Sequence, residues 1–200
     1  MKILIVGATG TIGKAVVNAL SSKHQIIAAG FDDGDVQVDL GSKSSIEAMF
    51  KSIGQVDAVI STAGLAGFAP FNELDDAAYD LALTNKLMGQ INLVRLGRDY
   101  VTDGGSFTLT AGILSRDPMP GSVVISTANG ALESFARSAA LELDRGQRVN
   151  AVSPVFVKET MEMMGMDPAS GLSAADTAKA YVAAVEGEMS GKTLDAPDYV

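Results

Sequence analysis

The feature that most constrains this chain is a glycine-spaced turn at its start. Gly7-Ala8-Thr9-Gly10-Thr11-Ile12-Gly13 follows the apolar run Lys2-Ile3-Leu4-Ile5-Val6. That run is β-branched enough to read as a strand buried on both faces. Lys14-Ala15-Val16-Val17-Asn18-Ala19-Leu20 comes next, with the apolar spacing of a helix lying on a sheet. Strand, glycine turn and helix together open a βαβ unit of the kind that binds dinucleotides. Glycines let the backbone turn tightly and come close to a pyrophosphate, whose charge then faces the unpaired N–H groups of the helix start. On this reading Gly7, Thr9, Gly10, Thr11, Ile12 and Gly13 line the phosphate site.

The rest of the chain repeats the alternation. Strands are predicted over Gln25–Gly30, Val36–Val38, Val56–Ile60, Ser106–Thr110 and Arg148–Val152, with a short last one at Lys192–Leu194. A helix capped by Ser42 runs through Ile46, Met49 and Phe50. A long helical segment from Asp75 to about Asp99 sets Leu83, Leu87, Ile91 and Val94 on one predicted inward face. Another, from Val123 to Leu143, aligns Ala128, Leu132, Phe135, Ala139 and Leu143, and a last one spans Ala174 to Val185. Alternating strands and helices imply a Rossmann-type α/β fold: a doubly wound parallel sheet of about seven strands with helices on both faces. The 200 residues show no repeat and no linker, so one domain over 1–200 is expected. Ligands of such sheets sit beyond the carboxyl ends of the strands, which gathers the glycine turn, Asp32, Asp39, Ser61–Gly64, Thr110–Ser115 and Pro154 into one crevice.

Composition excludes several alternatives. A formal charge of −9 with no basic run argues against nucleic acid as a partner. The absence of Cys removes disulfides and thiolate chemistry and suits a cytoplasmic protein. His24 is the single histidine, so no multi-histidine metal site is expected. The first apolar run is too short for a signal peptide, and no stretch is long enough to span a bilayer, so no membrane association is expected.

Several motifs resemble the short-chain dehydrogenase/reductase family over essentially the whole chain. Besides the glycine turn and the Asp39 after the third strand, Ser61-Thr62-Ala63-Gly64 resembles the family's Asn-Asn-Ala-Gly. Asn129 to Leu143 resembles its active-site helix, and Arg148-Val149-Asn150-Ala151-Val152-Ser153-Pro154 its sixth-strand signature. The resemblance implies an NAD(P)-dependent oxidoreductase acting on a carbonyl or alcohol. It also implies cofactor contacts from Phe31, Asp32, Asp39, Ala63, Gly64 and Pro154, and a homodimer formed through the two long helices. Asp39 is expected against the adenine ring, or as a cap for the next turn. Asp32 would accept from a ribose 2′-hydroxyl and repel a 2′-phosphate, which favours NAD over NADP; its plainer reading is a solvated turn aspartate.

The family's chemistry is written differently here. Members use a Tyr proton donor, a Lys four residues later, a Ser on the fifth-strand loop and an Asn on the preceding helix. The matching positions hold Ile125, Asn129 and about Ala111 or Gly112, with Thr110 and Ser115 the nearest hydroxyls. Lys86 falls at the Asn position when Gly89 sets the register, and Asn85 when the register moves by one. Isoleucine donates no proton. Tyr79, Tyr100, Tyr181 and Tyr199 all lie away from the loops of the crevice. Two readings stand. In one, the protein binds a dinucleotide without the usual hydride transfer. In the other, Lys86 and Asn129 exchange the family's Asn and Lys between facing helices, so that Lys86 polarises a carbonyl with Thr110 or Ser115 as hydroxyl. The plainer reading of Lys86 is an exposed helix lysine. Pro154 is followed by Val155 where Gly is usual, and Glu159 stands where a Thr often meets the carboxamide. Met161 to Met166 occupies the position of a substrate lid, where methionines suit a lipophilic ligand or ordinary packing.

Overall fold

The computed structural model describes residues 1–200. Its strands are β1 (Lys2–Val6), β2 (Gln25–Gly30), β3 (Val36–Gln37), β4 (Val56–Ser61), β5 (Val101–Thr110), β6 (Arg148–Ser153) and β7 (Thr193–Asp195). They form one sheet in the order β3-β2-β1-β4-β5-β6-β7, and every neighbouring pair is parallel. The winding reverses at β1, which pairs with β2 on one side and β4 on the other. The expected Rossmann-type topology is the observed one, and the glycine turn leaves the sheet at the switch point where such folds open a crevice.

Strand alternation divides the core into two layers. Ile3 and Ile5 pack with Val16 and Leu20 of α1 (Thr11–Leu20) and with Tyr181 of α7 (Ala174–Glu186). Leu4 and Val6 face the opposite layer, made by α2 (Lys43–Ile53), α4 (Gly89–Gly97) and α5 (Val123–Ala139), where they join Phe50, Leu93 and Leu132. A strand covered on both faces must be apolar at every position, which is why β1 shows no polar alternation. The helix starts follow local rules. Ser42 accepts from the Ser45 N–H at 3.3 Å, and Ser173 from the Asp176 N–H at 3.0 Å. No helix is long and apolar enough to cross a membrane.

Three segments depart from the sequence expectation. β5 begins at Val101, not Ser106, because Gly104 at φ 73° and a register shift opposite Val56 let the strand bend through the glycine pair. The helix expected to reach Leu143 stops at Ala139, after which Arg145 (φ 53°) and Gly146 (φ 68°) reverse the chain into β6. The largest departure lies between β4 and β5. There α3 (Asp76–Leu81) passes into a seven-residue π-helical segment, Ala82–Met88, before α4. Leu83, predicted to face inward, is 38% exposed. The inward face is instead Ala82, Lys86, Gly89, Gln90, Leu93 and Val94. The wider π turn changes the angular phase of the helix. Two of the inward residues are also polar, so a count of apolar spacing passes over them.

Candidate functional site

The three turn glycines answer three different demands. Gly7 adopts φ 84°, and a Cβ on it would lie 2.8 Å from that of Ala63, so β4's exit loop needs it bare. A Cβ on Gly13 would lie 1.9 Å from the Gly7 oxygen, so helix and turn touch only because it is glycine. Gly10 is different. A Cβ there would meet only the Gly7 oxygen, at 3.4 Å, and Gly10 lines a cavity of about 440 Å³. It also opens α1 with no side-chain cap and no acidic residue in the first turn. Packing therefore explains Gly7 and Gly13, whereas Gly10 leaves a cradle and uncapped N–H groups that match a pyrophosphate.

The crevice has two chambers. The larger is lined by Gly7, Thr9, Gly10, Phe31, Ala63 and Gly64 among the expected residues. The smaller, about 210 Å³, is lined by Ile12, Thr110, Asn129 and Pro154, with Ile125, Leu114, Val155 and Phe156 making it largely apolar. Other expected residues stand outside both. Thr11 opens onto a surface groove beside Lys14 and Glu159. Gly13 is occupied in packing, and Asp32 is exposed, its backbone oxygen accepting from the Gln37 side chain at 3.0 Å. The Asp39 carboxylate accepts from the Gly41 N–H at 2.8 Å, the turn-capping alternative, while its neighbours Val38 and Leu40 line the larger chamber.

The polar groups converge on one stretch of backbone, Thr110 to Gly112. Lys86 is only 6% exposed, which overturns the exposed-lysine expectation. Its Nζ donates to the carbonyl oxygens of Thr110 and Ala111, each at 3.4 Å. Burial alone pushes the ammonium down from its ordinary value to about 8. Of the two candidates for the family's Asn position, Lys86 turns inward, while Asn85 accepts from the Leu65 N–H at 2.9 Å and lines the larger chamber. Gln90 brackets Thr110, donating to its carbonyl at 3.0 Å and accepting from its N–H at 2.8 Å. From α5, the buried Asn129 donates to the Gly112 carbonyl at 3.4 Å and leaves its Oδ1 without a partner. Lys86 and Asn129 thus hold consecutive carbonyls from facing helices.

The two candidate hydroxyls are both engaged. Thr110 Oγ1 donates to the Ser61 carbonyl at 2.5 Å, so the Tyr181 hydroxyl, 2.6 Å away, must donate to it. Tyr181, expected far from the crevice, reaches it from beneath through α7, and burial raises its pKa. Ser115 donates to the Glu133 carboxylate at 2.6 Å, its hydroxyl also lying 3.0 Å from the Gly112 carbonyl oxygen. Glu133 also meets Arg116 at 3.5 Å, and Arg116 clasps Asp195 and bonds Ser153 at 2.9 Å, tying the loop after β5 to β6 and β7. That clasp holds the Asp195 carboxyl below its usual range. On the lid side, Phe156, Val157 and Thr160 line the smaller chamber ahead of the methionines. Met161 is buried, whereas Met163 and Met164 point outward in α6 (Lys158–Met163) and just after it. Glu159 does not face the chamber: it accepts from the Ala174 N–H at 2.9 Å and caps α7. Gln90 and Tyr181, which hold Thr110 from behind the chamber wall, were signalled by no motif in the sequence.

Comparison with known proteins agrees with this geometry. A family model described as enoyl-(acyl carrier protein) reductase matches residues 4–188. Hydroxynaphthalene reductase arp2 of Aspergillus fumigatus is 27% identical over 180 residues, covering 84% of this chain and 66% of that protein. The human L-xylulose reductase is 27% identical over 178 residues, covering 80% and 73%. The chain spans 54% of the tetrahydroxynaphthalene reductase of Pyricularia oryzae, so some relatives are considerably longer. Among solved structures, the protein lin1944 from Listeria innocua superposes with TM-score 0.94 at 42% identity, covering 98% of both chains. A small-chain dehydrogenase in complex with NADPH superposes with TM-score 0.86 at 27% identity, covering 98% of this chain and 95% of that one. With that match over most of its length, and with the crevice at the switch point of its sheet, the chain belongs to the short-chain dehydrogenase/reductase family.

Proposed function

We propose that this chain is an NAD(P)-binding oxidoreductase acting on a carbonyl or alcohol substrate through a non-standard site. The observation that carries the dinucleotide is Gly10, a bare position that internal packing does not require, at the mouth of an uncapped helix. The NADPH complex of a structural relative supports the same reading. Gly7, Thr9, Gly10, Phe31, Ala63 and Gly64 would hold the adenosine and pyrophosphate, and Ile12, Asn129, Pro154 and Thr160 the nicotinamide end. A bound nicotinamide supplies or accepts a hydride. The apolar wall of Ile125, Leu114, Val155 and Phe156 excludes water and suits a small apolar substrate. Asp32 and the absence of Lys or Arg from the glycine turn favour NAD over NADP. Calorimetric titration with NADH and NADPH tests the reading: micromolar binding of either is expected, and failure of both would overturn it.

A second reading, a dinucleotide-loaded sensor or scaffold without turnover, is favoured by one observation. Neither candidate hydroxyl is free to donate, since Thr110 and Ser115 are engaged and Ile125 has none; Thr160 is left as an unengaged hydroxyl on the smaller chamber. For turnover, a proton must come from Thr160, from Lys86 or from solvent. Release of product from a carbonyl screen with NADH would favour the first reading; tight binding with no turnover would favour the second. The groove between α4 and α5, lined by Val94, Arg95, Phe135 and Leu143, is the expected homodimer surface. A cytoplasmic location fits the cysteine-free composition.

A further inference from the structure

Lys86 presents an unbalanced charge. A buried ammonium is expensive unless a carboxylate meets it. Lys86 pairs with none: no ion pair of the chain includes it. Its partners are two neutral carbonyls, at hydrogen bonds of 3.4 Å. Glu133, the buried acid of α5, is occupied by Ser115 and Arg116. Thr110 and Ala111, whose carbonyls the ammonium touches, themselves line the smaller chamber. One residue's thickness of protein therefore separates a positive charge from that chamber. The position where a tyrosine hydroxyl would face it is the hydrocarbon of Ile125, and Asn129 is neutral.

We propose that the Lys86 ammonium makes this site discriminate the redox state of its dinucleotide, holding the reduced form more tightly than the oxidised form. The inference rests on the reading that the crevice binds a dinucleotide with its nicotinamide in the smaller chamber. The two redox forms have nearly the same shape, but the oxidised ring carries a positive charge and the reduced ring does not. A fixed positive charge behind the wall penalises only the first. The chamber's largely apolar lining screens the repulsion weakly, so a charge one residue behind the wall is worth about tenfold in relative affinity. A protein with this bias samples the NADH-to-NAD ratio whether or not it turns over, which gives the sensor reading a physical basis.

The test compares dissociation constants for NADH and NAD⁺ by calorimetry at neutral pH. It uses the wild-type protein and the variants Lys86→Gln, Lys86→Arg and Lys86→Met. Wild type is expected to favour NADH by about tenfold. Lys86→Gln keeps a donor for the carbonyls but removes the charge, and its preference should fall to about twofold or less, while Lys86→Arg keeps it. Lys86→Met removes both charge and donor, and it stands in if the Gln variant does not fold. A ratio unchanged in a folded, neutral variant would overturn the proposal and leave dinucleotide binding intact. Equal wild-type affinity for the two forms would overturn it as well. Failure of wild type to bind either form would end the dinucleotide reading itself, and this inference with it.

Discussion

The two chambers of the crevice are built from different materials. The larger is made of backbone: bare glycines, a helix start and the close approach of the β4 exit loop to the turn. The smaller depends on side chains: Ile125 and its apolar neighbours form one wall, and the buried Lys86 holds the carbonyls of another from behind. The contrast teaches that two chambers of one frame answer to different constraints. A backbone cradle tolerates no substitution without a clash or a filled space, so it persists in recognisable form. Side-chain chemistry can be rewritten one residue at a time on an unchanged frame.

The sharpest way to break the comparison is within the turn itself. Gly13→Val should destabilise the protein by about 3 kcal/mol in urea unfolding, because backbone must move to admit the side chain. Gly10→Val should cost only about 1 kcal/mol, the loss of a better helix-start residue, yet lose NADH affinity by at least about tenfold. If Gly10→Val unfolds as readily as Gly13→Val, Gly10 is a packing glycine and the cradle has no ligand behind it.

The smaller chamber gives the next effect. Lys86 titrates at about 8 in the folded protein, below its ordinary 10.5. Between those values the unfolded chain holds a proton that the folded protein has released, so wild-type stability gains as pH rises through that window. The burial penalty is thus fully present below pH 8 and gone above 10.5. Lys86→Met should exceed wild type in stability by up to about 3 kcal/mol at neutral pH. That advantage should shrink by about 2 kcal/mol at a pH of about 9.5. Urea midpoints at the two pH values decide it, and a constant difference would mean that Lys86 is not the titrating group.

Smaller effects sharpen the picture. Thr110→Val leaves the Tyr181 hydroxyl and the Ser61 carbonyl unpaired in the core and should cost about 2 kcal/mol. Tyr181→Phe removes only the donor and should cost about 1 kcal/mol, with NADH affinity unchanged. A large drop in affinity from Tyr181→Phe would show that this hydroxyl pair serves the ligand as well as the core. The least effect is at the exposed Asp32, where Asp32→Ala should reduce the preference for NADH over NADPH by about threefold in competition titrations.

Much of this protein was settled by local sequence. The run Lys2–Val6 had to be a two-sided strand, the spacing of Gly7, Gly10 and Gly13 had to be a tight turn into a helix, and Ser42 had to cap. These depend on neighbours within a few positions, where side-chain type and backbone freedom act directly. The segment from Ala82 to Met88 shows where that stops. Apolar spacing named Leu83 as a buried residue, while packing against β5 chose Lys86 and Gln90, whose polar ends the backbone of Thr110 and Ala111 satisfies. The Tyr181 hydroxyl meets Thr110 across 71 positions of chain, and no pattern near either residue signals it. The sequence by itself determined the fold class, the glycine turn and the hydrocarbon side chain at Ile125. The tertiary structure decided which polar residues are buried. A polar side chain can enter the core only where distant backbone completes its hydrogen bonds, and that complement exists only once the sheet and both helix layers have assembled.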